Sequence, residues 1–223
     1  MGKKLRYGIV GCGGIAQGKH LPALKKLPEV ELAAFCDIMP GRADDLNAKY
    51  AESKGKVFQD YRDLLKEDLD AVCVLTPNSS HAEISIAALK SGKHVICEKP
   101  MAKNYKEAQA MIAARDASGK LLTIGYQNRY RPDSLFLKEE CDKGALGEIY
   151  FAKATAVRRR AVPTWGVFLD EEKQGGGPLI DIGTHALDLT LFMMNNYEPA
   201  YAVGTVYHKL NKDKNTGNTW GDW

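Results

Sequence analysis

Across the first 125 residues, short apolar runs alternate with amphipathic stretches. Leu5-Arg6-Tyr7-Gly8-Ile9-Val10 reads as a buried strand, and residues 30–36, 56–58, 71–75, 95–97 and 121–124 read as five more. Ala71-Val72-Cys73-Val74-Leu75 holds no polar residue, as a strand covered on both faces requires. Helical stretches fall between the strands at 15–27, 42–51, 61–67, 82–90 and 103–117. Pro22 lies inside the first of these and predicts a break or kink. In the last, Ala108, Met111, Ile112 and Arg115 keep step at helical spacing. Strands alternating with helices predict an α/β fold with a parallel, doubly wound sheet.

After residue 125 the pattern changes. Residues 133–143 read as a helix, 144–147 as a turn, 148–157 as an alternating strand, 181–195 as a helix and 200–210 as another strand. Residues 1–125 therefore predict a complete Rossmann-type unit, and 126–223 the opening of an α+β domain. Two strands and a helix leave an uncovered edge and little apolar area to bury. Residues 211–223 are polar and turn-like, so the chain is expected to stop inside its second domain.

Candidate chemistry gathers where strands end. Gly11-Cys12-Gly13-Gly14-Ile15-Ala16 fits G-x-G-x-x-A between a strand and a helix. In such a turn Gly11 permits the tight bend and Gly13 lets backbone approach a pyrophosphate. The small Ala16 lets helix and strand pack closely, and Gly14 and Ile15 open the helix whose free N–H groups face the phosphates. This predicts dinucleotide binding. Asp37 closes the second strand, 21 residues beyond Ala16, where a carboxylate accepts from ribose hydroxyls and repels a 2′-phosphate. NAD is favoured, with NADP possible because Arg42 lies nearby; the structural alternative for Asp37 is a turn aspartate.

Thr76-Pro77-Asn78 follows the fourth strand and places Asn78 and His81 as cofactor contacts. Alternatively, Ser80 caps a helix and His81 sits in its first turn. Glu98-Lys99-Pro100 follows the fifth strand, at the edge where such sheets bind ligands. Lys99 there can hold a substrate oxygen or take part in proton transfer. The alternative is a solvated lysine paired with Glu98. Gln127 adds a further cofactor candidate. Tyr126, Asn128, Arg129 and Tyr130 are placed to line a polyol pocket, with Trp165 to stack on a sugar face, although each also suits a structural role.

Asp181, His185 and Asp188 fall within about 60° of one another on a helix. The same helix carries Leu187, Leu189, Leu191, Phe192 and Met193. A polar line on an apolar helix suggests a cleft wall. The plainer alternative is an N-capping Asp181 with a core histidine satisfied by Asp188. No other ligand cluster supports a metal reading, so no metal is expected.

Composition changes little. At 44% apolar and 26% charged, the chain is ordinary for a globular protein, and a net charge of +3 gives no reason to expect nucleic acid. Arg158-Arg159-Arg160 is the one dense basic run and reads as a solvated strand end. Five cysteines without CxxC spacing read as core residues in a reducing compartment. No run is long enough to span a membrane, and Leu5 to Val10 is too short for a secretory signal, so a cytoplasmic protein is expected.

In this order, Gly11-Cys-Gly-Gly-Ile-Ala, Asp37, Thr76-Pro77-Asn78-Ser-Ser-His81, Glu98-Lys99-Pro100 and Gly175-Gly-Gly-Pro-Leu-Ile-Asp181-Ile-Gly-Thr-His185-Ala-Leu-Asp188 resemble the Gfo/Idh/MocA oxidoreductase family from about Leu5 to Leu210. The resemblance implies an NAD(P)-dependent dehydrogenase. Its substrate would be a sugar, sugar derivative or cyclitol with a secondary alcohol. It implies a catalytic set matching Lys99, Asp181 and His185, with Lys99 and Glu98 also near the cofactor. Either Lys99 or His185 is open as the base. Substrate contacts are expected from Lys99, Tyr126, Asn128, Arg158, Trp165, Asp181 and His185. The family's second domain is a mostly antiparallel sheet that covers the site and often mediates oligomerisation, so a homo-oligomer, dimer or tetramer, is expected of the full-length form. Three other readings stand beside this one: a non-catalytic NAD(P)-binding sugar sensor, an NAD-dependent glycosidase, and an inactive truncated fragment.

Overall fold

The computed structural model describes residues 3–157, 163 and 166–207. The chain divides into two compact units, Met1–Gly125 and Tyr126–Trp223. In the first, β1 (Leu5–Val10), β2 (Val30–Cys36), β3 (Lys56–Phe58), β4 (Ala71–Val74), β5 (His94–Cys97) and β6 (Leu122–Ile124) form one sheet in the order β3-β2-β1-β4-β5-β6. Every neighbouring pair is parallel. This is the doubly wound sheet that the alternation of strands and helices predicts.

The strands are buried because helices cover both faces. Side chains alternate, so Ile9, Phe35 and Cys73 enter one apolar layer while Val10, Ala34, Val72 and Val74 enter the other. The first layer is closed by Ala16, Leu21 and Leu24 of the segment after β1 and by Leu46 of α2 (Arg42–Ala51). The second takes Leu64 of α3 (Tyr61–Leu64), Ile84, Ala88 and Leu89 of α4 (Asn78–Lys90), and Met111 and Ala114 of α5 (Tyr105–Ser118).

Local chemistry sets the helix limits. Residues Ala16–His20 form a π-type turn, and α1 (Leu21–Leu24) follows with Pro22 in its first turn. The helical run is continuous through this point, so the predicted interruption takes the form of a π-type widening just ahead of the proline. Helix α4 starts at Asn78 rather than residue 82, with Pro77 in the capping position. Ser80 is therefore not the cap; its Oγ lies 2.8 Å from Thr76 Oγ1 and 2.9 Å from the Pro77 carbonyl. Helix α5 begins at Tyr105 because Asn104 accepts from the Glu107 N–H at 3.0 Å. Glu107 reaches back to the Lys103 N–H at 3.2 Å, giving a reciprocal cap.

In the second unit a 3₁₀ turn (Gln127–Tyr130) leads into α6 (Pro132–Asp142), followed by α7 (Glu171–Gln174), a π-type turn (Leu179–Gly183) and α8 (Thr184–Met194). The strands expected at 148–157 and 200–210 do not appear among the described residues, and 208–210 lie outside them. Tyr150, Phe151, Val157, Tyr201, Val203 and Tyr207 of these stretches are exposed. Alternating residues make a strand only where a neighbouring ladder takes up their N–H and C=O groups. Among the described residues, no helix is long and apolar enough to cross a membrane.

Candidate functional site

Strand register brings the first unit's candidate residues to one edge. Val10 pairs with Cys36 and Val74, Val74 with Cys97, and Cys97 with Ile124, so the last residues of five strands form one row. The ladder runs one step further. The Gly11 N–H donates to Cys36 O at 2.9 Å, Leu75 N–H to Val10 O at 2.8 Å, Glu98 N–H to Val74 O at 2.9 Å, and Gly125 N–H to Cys97 O at 2.8 Å. Beyond this step the Gly11 turn, Asp37, Thr76, Lys99 and Gly125 leave the sheet side by side. Chain order reverses between β1 and β4, so the glycine turn stands at the topological switch point where such sheets bind ligands.

The glycine turn is shaped for close approach. Gly11 has φ +94°, and a Cβ built there would lie 2.6 Å from Leu75 O and 2.9 Å from the Thr76 nitrogen. Only glycine fits. A Cβ on Gly13 or Gly14 would meet nothing within 4 Å, so these two present bare backbone to open space. That is the surface a pyrophosphate needs. The residues present therefore fit a dinucleotide. Ile15 beside them is exposed, and Ala16 is fully buried against the sheet.

Asp37 is buried, and both of its oxygens are engaged. Oδ2 accepts from the Cys12 N–H at 2.8 Å and Oδ1 from the Met39 N–H at 2.8 Å. The carboxylate thus ties the glycine turn to the end of β2, and each oxygen keeps a second lone pair for a hydroxyl. Next to it, Ile38 is 83% and Met39 50% exposed, two apolar side chains at the rim that periodicity did not single out. Arg42 opens α2 and is also exposed.

The Lys99 loop is held on both flanks. The Nε2–H of His20, from the π-type turn after the glycine loop, donates to Glu98 Oε1 at 2.7 Å. Glu98 Oε2 accepts from the Lys99 N–H at 3.1 Å. Glu98 therefore pairs with His20, where sequence had offered Lys99. On the other flank, His81 is fully buried; its Nδ1 lies 2.8 Å from the Pro100 carbonyl and its Nε2 2.9 Å from the Thr76 carbonyl. With both ring nitrogens facing backbone carbonyls, His81 joins the Thr76 and Pro100 loops. Asn78 is likewise buried, while Pro77 is exposed and Lys99 half-buried.

In the second unit Asp181 lies in the π-type turn and His185 in the first turn of α8. The expected single helical line is thus altered, because the wider turn changes the angular spacing. The Tyr126 and His185 rings meet edge to face at 6.3 Å, and Tyr126 Oη lies 3.0 Å from Thr184 Oγ1. Asn128 and His185 line one open trough of about 810 Å³, whose other walls include Leu137, Phe151, Ile182 and Met193. Gln127 is exposed, and Arg158 and Trp165 lie outside the described residues.

Asp188 satisfies Arg129 and not His185. The Arg129 Nε donates to Oδ2 at 2.8 Å and Nη2 to Oδ1, in a forked pair with side-chain exposures of 29% and 8%. This hydrogen bond raises the guanidinium's pKa. Asp188→Leu leaves Arg129 uncompensated and is expected to destabilise the chain by about 2 kcal/mol, a buried-pair loss discounted for the arginine's partial exposure. Urea unfolding followed by circular dichroism measures it, and the double variant with Arg129→Met is expected to recover most of the loss.

Cys12, Cys36, Cys73 and Cys97 are buried at or near the strand ends. Burial pushes each thiol up to about 12 by desolvating the thiolate. At pH 8 only about one in 10⁴ of each would be ionised. Native alkylation at that pH is therefore expected to modify the half-exposed Cys141 first, with peptide mass spectrometry as the readout.

Comparison with known proteins agrees with this architecture. The description "Oxidoreductase family, NAD-binding Rossmann fold" matches residues 5–126, and "GFO/IDH/MocA C-terminal domain" matches residues 135–219. The chain is 36% identical over 222 residues to D-glucoside 3-dehydrogenase of Escherichia coli (strain K12), covering 98% of this chain and 62% of that protein. It is 34% identical over 163 residues to inositol 2-dehydrogenase of Salmonella typhimurium, covering 72% and 48%. A crystal structure of the WlbA dehydrogenase from Bordetella pertussis with NADH and UDP-GlcNAcA superposes with TM-score 0.78 at 26% identity, covering 86% of this chain and 55% of that one. This chain thus spans about half to two thirds of the length of these relatives. With an NAD-binding Rossmann unit and a matching second domain, the chain belongs to the Gfo/Idh/MocA oxidoreductase family.

Proposed function

We propose that the protein oxidises a secondary alcohol of a sugar, sugar derivative or cyclitol with NAD as hydride acceptor. The observation that carries this reading is the row of strand ends setting the glycine turn, Asp37 and the Lys99 loop along one edge. Relatives named as glucoside and inositol dehydrogenases supply the substrate class. Bound NAD would supply the hydride acceptor.

The chain's own residues divide the remaining work. Gly13 and Gly14 offer backbone to the pyrophosphate, Asp37 accepts from the adenine ribose hydroxyls, and Ile38 and Met39 give the adenine an apolar wall. Asp37 disfavours a 2′-phosphate, so NAD is the preferred form. Lys99 donates to the reacting oxygen and disperses charge as alkoxide character develops. His185 takes the hydroxyl proton, and Asp181 orients His185 or binds a neighbouring hydroxyl. Tyr126 supports the His185 ring from its edge, and Asn128 lines the same trough.

The test is NADH formation by the purified chain over glucosides, free hexoses and inositols. Turnover on at least one member is expected. NADH binding without turnover on any of them would instead identify a sugar sensor, and aglycone release without net NADH a glycosidase.

A further inference from the structure

We infer that His20 is a positioning residue for the reaction, acting on Lys99 through Glu98. This rests on the role proposed for Lys99 and adds a residue to it. His20 leaves the π-type turn that follows the glycine loop, 78 positions before Glu98 in sequence, and its Nε2 reaches the Glu98 carboxylate at 2.7 Å. Both side chains are largely buried, at 19% and 12% exposure, so water competes poorly for the bond. The same carboxylate accepts from the Lys99 N–H through its other oxygen, at 3.1 Å. One imidazole thus fixes one carboxylate, which fixes the peptide from which the lysine side chain departs.

The surroundings leave Glu98 little room to turn elsewhere. Its own N–H is committed to Val74 O at 2.9 Å. A Cβ on Gly125 would stand 3.2 Å from Oε1, so the carboxylate lies over bare backbone at the end of β6. On the far flank, Pro100 O is 2.8 Å from His81, so that side of the loop is pinned independently. Without His20, Glu98 loses the contact that directs it, and its hydrogen bond to the Lys99 N–H opens more often. Positioning matters because displacements of about 1 Å at a reacting group can cost about 10²-fold in rate. The glycine turn and the Lys99 loop are joined by this bond, so the segment that receives the cofactor also sets the lysine.

The experiment compares wild type, His20→Leu and His20→Gln. Glutamine can present an N–H near the position of Nε2, while leucine cannot. Two readouts are taken. The first is amide hydrogen exchange at Lys99 by NMR, which needs neither cofactor nor turnover. The second is kcat, read beside KM and the NADH dissociation constant. In His20→Leu, exchange at Lys99 is expected to accelerate about tenfold, with amides of β1 and β4 unchanged. The kcat is expected to fall about tenfold or more while NADH affinity holds, and His20→Gln is expected to restore both within about threefold. Unchanged Lys99 exchange in His20→Leu overturns the assignment, as does faster exchange with wild-type kcat. Failure of the wild-type chain to turn over any polyol overturns the proposed reaction instead, and exchange at Lys99 then decides the His20 contact alone.

Discussion

Lys99→Ala is expected to lower kcat for polyol oxidation by about 10²–10⁴-fold, the range typical of losing a group that donates to the reacting oxygen. The loss should be chemical and not architectural. The backbone on either side of Lys99 is held by groups other than its amine: Glu98 N–H by Val74 O, Lys99 N–H by Glu98 Oε2, and Pro100 O by His81. NADH affinity and melting temperature should therefore stay near wild type while kcat falls. Arginine is no substitute, because its planar fork presents donors in a different geometry from a compact ammonium. Steady-state kinetics beside NADH titration separates these outcomes. Wild-type turnover in Lys99→Ala would remove the lysine from the chemistry.

The second large effect separates two glycines of one motif. Gly11→Ala forces a Cβ against Leu75 O at 2.6 Å and the Thr76 nitrogen at 2.9 Å, on a backbone with φ +94°. The contact is with main chain of β4's end, which cannot swing away as a side chain would. Left-handed strain and overpacking together are expected to cost about 3 kcal/mol or more. Gly13→Ala meets nothing within 4 Å and should leave stability within about 1 kcal/mol. Its methyl group projects into the space needed by the pyrophosphate, so NADH affinity is expected to fall about tenfold or more. Thermal unfolding and NADH titration on both variants give opposite signatures. A stable Gly11→Ala, or a Gly13→Ala that binds normally, would contradict the geometry of the turn.

Much of the first unit is legible because its determinants are local. A parallel strand covered on both faces is a near-continuous apolar run, and Ala71-Val72-Cys73-Val74 is one. The glycine turn lies between a strand and a helix that are each visible in the sequence. The early start of α4 is less visible, since it depends on Pro77 and on Ser80 bonding backward to Thr76 and Pro77. The Asn104 to Glu107 spacing is a capping signal that could have set the start of α5 at Tyr105.

What sequence reasoning missed depends on pairs far apart in the chain. His20 and Glu98 are 78 residues apart, and Arg129 and Asp188 are 59 apart. Helical periodicity reports which residues share a face and is silent on what that face meets. It therefore grouped Asp188 with His185, although Arg129 takes the carboxylate. A histidine nine positions after Gly11, in the segment that opens the first helix, was the available signal for His20. In the second unit, alternation at 148–157 predicts a strand only if a ladder partner exists, and none is formed there among the described residues.

The proposed reaction is hydride transfer from a carbinol carbon to the nicotinamide. The most direct measurement incubates the chain with NAD and a ring-deuterated methyl glucoside or inositol, then weighs the recovered cofactor by mass spectrometry. NADH carrying a single deuterium is expected, formed in step with keto product and strongly reduced in Lys99→Ala. Unlabelled NAD recovered after incubation with every such polyol, from a chain that binds NADH normally, would contradict it.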